Sequence, residues 1–246
     1  MVHVFVRLLL CGSLILFAVS LWQKDVLPDA STLQTELLDE PQQHPVTRAA
    51  FQTTVNNVTY SIQPLYRYDL YGLVVSLHDA QGVVDTVHAK WKDSLNVADL
   101  CVVWGDNVRS GAYRDIRFSS AQYQCFWQTD SSQAAGRFAT NAISNNHLLT
   151  DNVSIAKNIH QARIGDQIHF RGYLAEYSHN DGFAFKRGTS TTRTDDGDGA
   201  CETVYVEEFE ILRRGGGPWR TLLWTAVGLF VVGLIAWVRV PVRFKH

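Results

Sequence analysis

The sequence predicts a mainly β domain with minor helices, set between two transmembrane helices. The two ends are apolar and the middle is not. Val4 to Trp22, VFVRLLLCGSLILFAVSLW, is apolar apart from Arg7 and small polar residues. Trp219 to Val238, WRTLLWTAVGLFVVGLIAWV, carries no charge after Arg220. About 20 apolar residues in a helix cross the hydrocarbon core of a bilayer. Between these ends the chain alternates with the period of strands: Val58, Tyr60 and Ile62, then Tyr66, Tyr68 and Leu70, then Leu73, Val75 and Leu77.

Residues 1–23 form an N-terminal anchor or a signal peptide. Ala18-Val19-Ser20 has the small-residue spacing of a signal-peptidase site, but the apolar run continues through Trp22, which favours an uncleaved anchor. Residues 24–47 read as a linker: Ser31 caps a short helix, TLQTELL, and the prolines of DEPQQHP stop regular structure. Residues 48–213 form the β-rich domain. After its first strands, DTVHAKWKDSLNVADL places Val87, Trp91 and Leu95 at helical spacing. LCVVWG and AQYQCFWQ follow as short strands. A helix is expected from Asp151 to Ala162, then a strand in IGDQIHFRGYLAEY with a bend at its glycine, then a last strand in CETVYVEEFEIL. A C-terminal transmembrane helix, 218–238, precedes a basic tail, 239–246.

The order is three strands, a helix and two strands, with a helical insertion after the first. That order, with the phrase GDQIHFRGYL, resembles the OB-fold between Tyr66 and Leu212. The resemblance implies a five-stranded barrel whose ligand face is flanked by two loops. In this chain those loops are His78 to Asp99 and Ser178 to Ala200, and the second holds the acidic run TRTDDGDG. NNHLL, TSTTR and DGDGACE resemble phrases of uncharacterised bacterial membrane-anchored proteins. That resemblance brings no activity with it; together with the two apolar ends it gives the expectation of a two-pass protein of the bacterial inner membrane. Either reading of the N-terminus leaves the middle domain on the periplasmic or extracellular side and the tail in the cytoplasm. Positive charges near the last helix are balanced and do not decide the orientation.

A formal net charge of -2 argues against a nucleic-acid partner. The expected partners are the lipid bilayer and other envelope or membrane proteins. No cofactor motif and no metal-ligand spacing is found. His78, Asp85 and His88 lack an HxH or HExxH pattern. An EF-hand register in the acidic run puts Asp196 and Asp198 at ligand positions but fails at Thr194 and Tyr205.

Disulfides persist in an exported domain. A hairpin folding about Tyr113 sets Cys101 opposite Cys125 and leaves Cys201 free, although pairings with Cys201 stay open. For ligand binding the candidates are Trp91, Trp104, Trp127, Arg187, Arg193, Asp196 and Asp198, through ring stacking and charge. The preferred reading is a non-catalytic binding or scaffold protein of the envelope. One alternative is an envelope enzyme around His147, Arg193, Asp198 and Cys201, with His147 or His179 as the base. Another is a structural subunit of a membrane complex.

Overall fold

The computed structural model describes residues 2–83, 85–195 and 201–239. The chain divides into two units, one running to Val26 and resuming at Gly215, the other spanning Leu27–Arg214.

The first unit is a pair of apolar helices, each long and apolar enough to cross a membrane. Helix α1 covers Val2–Gln23. Its buried residues, Val6, Ser13 and Ser20, recur every seventh position, so they share one stripe. The last helix, Trp219–Arg239, buries Ala226 and Gly233 at the same interval. A Cβ on Gly233 would come within 2.7 Å of Leu10 Cδ2, so glycine is what lets the two backbones approach. Arg7 lies over the Trp237 ring, 5.6 Å from its centroid. With Leu10 against Gly233, that contact makes the pair antiparallel.

In the second unit, residues 27–47 are folded against the domain, unlike the linker that the prolines predict. Asp29 caps a 3-10 turn at Ala30–Thr32 and a second turn covers Thr35–Leu38. Leu37 is fully buried, packed with Leu73, Val103 and Tyr113. Strand β1, Gln42–Pro45, pairs with the strand that follows the domain's first hairpin. Beyond Pro45 one more backbone bond, from Val46 N–H to Leu65 O at 3.0 Å, continues this pairing.

Strand β2, Phe51–Val55, turns into β3, which runs without a break from Val58 to Asp79. The three alternating runs are thus one strand: the first two share one phase across the register shift at Pro64, and the phase changes once, at Gly72, where a Cβ would meet Val102. Helix α2 is a single turn, Val87–Lys90, not the longer helix expected there. The apolar residues beyond it belong to β4, Asn96–Val103, which is buried at every position. Helix α3, Gly105–Ser110, leads to the hairpin β5, Arg117–Ala121, and β6, Gln124–Gln128. Helix α4 is Ser132–Arg137 and β7 is Ile143–Leu149. Helix α5, Val153–Ile159, is capped by Asn152, which accepts from Ser154 and Ile155 N–H. Strands β8, Gln167–His179, β9, Phe185–Arg187, and β10, Glu202–Arg213, complete the unit, and the Trp219–Arg239 helix is α6.

The strands β3, β4, β7, β10 and β8 pair in that order, and β8 pairs back onto β3. The result is a ring in which only β7 and β10 run parallel. Gly172 lies where β8 crosses a register shift in β10, and a Cβ there would meet Tyr205 O at 2.0 Å. The bend expected at this glycine is therefore a place where two backbones touch. Tyr68, Leu70, Leu100, Leu148, Phe170 and Val204 form the main core.

Cys101 and Cys125 are disulfide-bonded. Their route differs from the hairpin expected about Tyr113. Residues 105–115 form α3 and a 3-10 turn, and Tyr113 is buried with its hydroxyl donating to Pro28 O at 2.7 Å. Cys101 lies opposite Asn145 in the ring, whereas Cys125 belongs to the small β5–β6 sheet. The bridge fastens that hairpin to the ring.

Candidate functional site

A cavity of about 760 Å³ lies between the β5–β6 hairpin and the ends of β7, β9 and β10. The hairpin supplies Tyr123, Phe126 and Trp127 to its wall, and the segment after α2 supplies Trp91. Asn145, Arg187, Arg193, Cys201 and Glu202 provide the polar part.

Four of the ligand-binding candidates named from sequence meet here: Trp91, Trp127, Arg187 and Arg193. Trp91 is 40% exposed and Trp127 39%, so both present ring surface to the solvent side of the cavity. Trp104, expected on the ligand face, is instead 1% exposed and packed inside the ring with Val102 and Leu148. It directly follows β4, a strand with no exposed position, and its indole fills core. Asp196 and Asp198 lie outside the described residues.

Behind Cys201 lies a buried polar chain. Asp99 and His147 are direct cross-strand partners of β4 and β7. His147 Nδ1 is 2.6 Å from Asp99 Oδ1, and neither side chain has solvent contact. Asn96 Nδ2 also donates to Asp99 Oδ1, at 2.8 Å, and the backbone N–H of Tyr123 donates to Oδ2, at 2.8 Å. Burial alone would raise the Asp99 carboxyl, but His147 and these donors outweigh it and hold it at about 2. For His147 burial disfavours the cation, yet the Asp99 charge wins and pushes it up to about 9.

His147 Nε2 faces Arg187 Nη2, 2.8 Å away. A guanidinium can donate only to a free lone pair, so the Arg187 contact belongs to the neutral imidazole with its proton on Nδ1, the form present above the raised pKa of about 9. Arg187 also lies over the Tyr123 ring, 3.8 Å from its centroid. The Cys201 sulfur is 3.6 Å from Tyr123 O and 3.7 Å from Asn145 Nδ2. His179, the other base considered, bonds to Trp91 O at 2.9 Å and is occupied there.

Tyr123 ties the hairpin tip to this network. It takes a left-handed φ of 62°, which a bulky residue rarely adopts. Besides its N–H bond to Asp99, its hydroxyl donates to Asp93 Oδ2 at 2.9 Å, as Tyr177 does at 2.6 Å.

Among the described residues, two wall residues keep a buried acceptor without a partner, Glu202 Oε2 and Asn145 Oδ1. Arg193 Nη1 meets the other Glu202 oxygen at 2.8 Å. Burial nevertheless dominates and raises Glu202 to about 7.

His78, Asp85 and His88 gather closely enough to hold a metal ion. Both rings bond to Asp85 Oδ2. Asn96 Nδ2, already fixed on Asp99, also faces His88 Nε2 at 3.1 Å. That makes Nε2 an acceptor and places the His88 proton on Nδ1, the atom a metal would need. The geometry therefore favours a hydrogen-bonded cluster supporting Asn96 over a metal centre.

Asp99, Asn145 and Glu202 escaped the reading of the sequence. The signal for Asp99 was present: a carboxylate amid NVADLCVVW, in a strand with no polar face, requires a buried partner. The polar run SNNH in the otherwise apolar β7 gave the matching half. Comparison with family models, with curated proteins and with solved structures finds no match for this chain.

Proposed function

We propose that the chain is a two-pass membrane-anchored protein whose 27–214 unit lies outside the cytoplasm and binds an amide-bearing chain, peptide-like in chemistry, in the cavity beside Cys201. The antiparallel pairing of α1 and α6 supports the topology, since the two ends that join the intervening residues lie on one side. The ring order supports an OB-type barrel. Numbered by position, its strands run one, two, three, five, four and back to one, with the third and fifth parallel and α5 between the third and fourth.

The single observation carrying the binding reading is the wall chemistry. Exposed indoles at Trp91 and Trp127 share the cavity wall with the guanidinium groups of Arg187 and Arg193. Amide carbonyls accept from Arg187 and Arg193, and apolar side chains cover the rings. The test is to screen the full chain in detergent micelles against an array of random short peptides. Selective capture that Trp91→Ala and Trp127→Ala weaken by about tenfold or more supports the reading. No capture, or capture indifferent to both substitutions, overturns it.

A further inference from the structure

We infer that β6 takes the ligand as an added strand: an extended peptide pairs its backbone with the free edge of Cys125 and Trp127 inside the cavity. This rests on the cavity being a peptide site, and goes further by naming the part of the peptide that is read.

The hairpin register decides which backbone groups are free. Ala121 pairs with Gln124, so only Gln122 and Tyr123 lie in the turn. The closing pair of a two-residue hairpin exchanges backbone bonds, and bonded pairs alternate along an antiparallel ladder. Gln124, Phe126 and Gln128 therefore turn their N–H and C=O toward β5. Cys125 and Trp127 turn theirs the other way. β5 and β6 form a sheet of two strands, and among the described residues nothing meets those four groups.

The cavity runs along this edge. Gln124, Cys125, Phe126 and Trp127 all line it. Successive side chains of a strand point to opposite faces, so a space that touches four residues in a row lies beside the strand, at its edge. Ser120 Oγ on β5 is 2.7 Å from Ser76 Oγ on β3, which anchors the β5 side of the hairpin to the ring and leaves β6 outermost. Edge strands are ordinarily blunted by charge or proline. β9, the other edge strand at the cavity, carries Lys186 and Arg187, whereas β6, QCFWQ, carries neither charge nor proline.

The occupant follows from these groups. Two N–H and C=O pairs spaced by two residues, about 7 Å, match the repeat of an extended polypeptide. A cavity of about 760 Å³ has the size of a small-ligand pocket, so it takes one short strand and not the sheet of a second copy. Ligand side chains beside Cys125 and Trp127 share their face. That face is toward the ring, since Cys125 is bonded to Cys101 and the Trp127 ring is 4.9 Å from that of Phe138. Side chains beside Phe126, 49% exposed, point outward and are free to vary.

The test takes a peptide captured from the array by the full chain in micelles and replaces its amides by esters, one at a time. Each ester removes an N–H and adds no bulk. The expected result has a period of two: esters at alternate positions of the bound stretch weaken capture by about fivefold or more, and those between leave it unchanged. Hydrogen exchange resolved to single amides reads the same edge without altering the chain. The Cys125 and Trp127 amides should exchange fast in the free chain and slow by about tenfold or more with the peptide bound, while Phe126 and Gln128, already bonded to β5, change little. Ester effects without the period of two, or equal exchange of Cys125 and Trp127 with and without peptide, overturn this inference and leave the binding reading standing. Slow exchange of both amides in the absence of peptide assigns the edge to a second copy and overturns it as well. Failure of the array to yield any peptide overturns the binding reading itself, and this inference falls with it.

Discussion

Asp99 and His147 face each other across β4 and β7, with 2.6 Å between Oδ1 and Nδ1 and no solvent contact on either side chain. A buried charge that loses its partner costs about 3 kcal/mol or more. Asp99→Asn is therefore expected to lower the unfolding free energy by about that amount in urea titrations near neutral pH.

The same pair sets a pH window. Asp99 is held at about 2 against an ordinary 3.8, so its contribution is present above 3.8 and is lost as pH falls through 2. His147 is raised from 6.5 to about 9, so its contribution is complete below 6.5 and is lost as pH rises through 9. Melting temperature should be highest between about pH 4 and 6.5 and fall on both sides, and Asp99→Asn should flatten that profile.

Glu202 acts in one direction only. Its carboxyl is raised from 4.5 to about 7, so the folded chain holds the proton more tightly than the unfolded chain does. Stability from this group is complete below 4.5 and lost as pH rises through 7, a change of about 3 kcal/mol. Glu202→Gln cannot ionise. Compared with the unmodified chain it should gain stability between pH 5 and 8, as denaturant midpoints at the two pH values will show.

The Cys101–Cys125 bridge joins two different sheets across a sequence separation of 24. Closing a loop of that size removes about 3 kcal/mol of freedom from the unfolded chain. Cys125→Ser should lower stability by about that amount and leave the β5–β6 hairpin the first region to exchange amide hydrogen, measured by mass spectrometry.

Much of the architecture was legible because it is local. Alternation marks strands wherever one face is buried, so β3 was visible in Val58, Tyr60 and Ile62 and again in Tyr66, Tyr68 and Leu70. The helix expected through Val87, Trp91 and Leu95 failed because Leu95 is buried by contacts beyond the helix's reach, packing with Tyr60 and Tyr177. The cysteine pairing was found by counting from Tyr113, yet the chain reaches it by another path through α3 and the β5–β6 hairpin. The cavity was the least legible part. Trp91, Arg187 and Cys201 come together only because β9 and the start of β10 pass the hairpin tip, and no local pattern encodes that meeting. The polar groups supporting them sit in strands whose periodicity shows burial but not partners.

The most direct measurement is the rate at which iodoacetamide alkylates Cys201 in the full chain, with and without a peptide captured from the array. Cys11, on an exposed position of α1, serves as the internal reference. Occupation of the cavity should slow the Cys201 reaction by about tenfold or more, and leave Cys11 unchanged. An equal Cys201 rate with the peptide bound would place the ligand elsewhere and contradict the account.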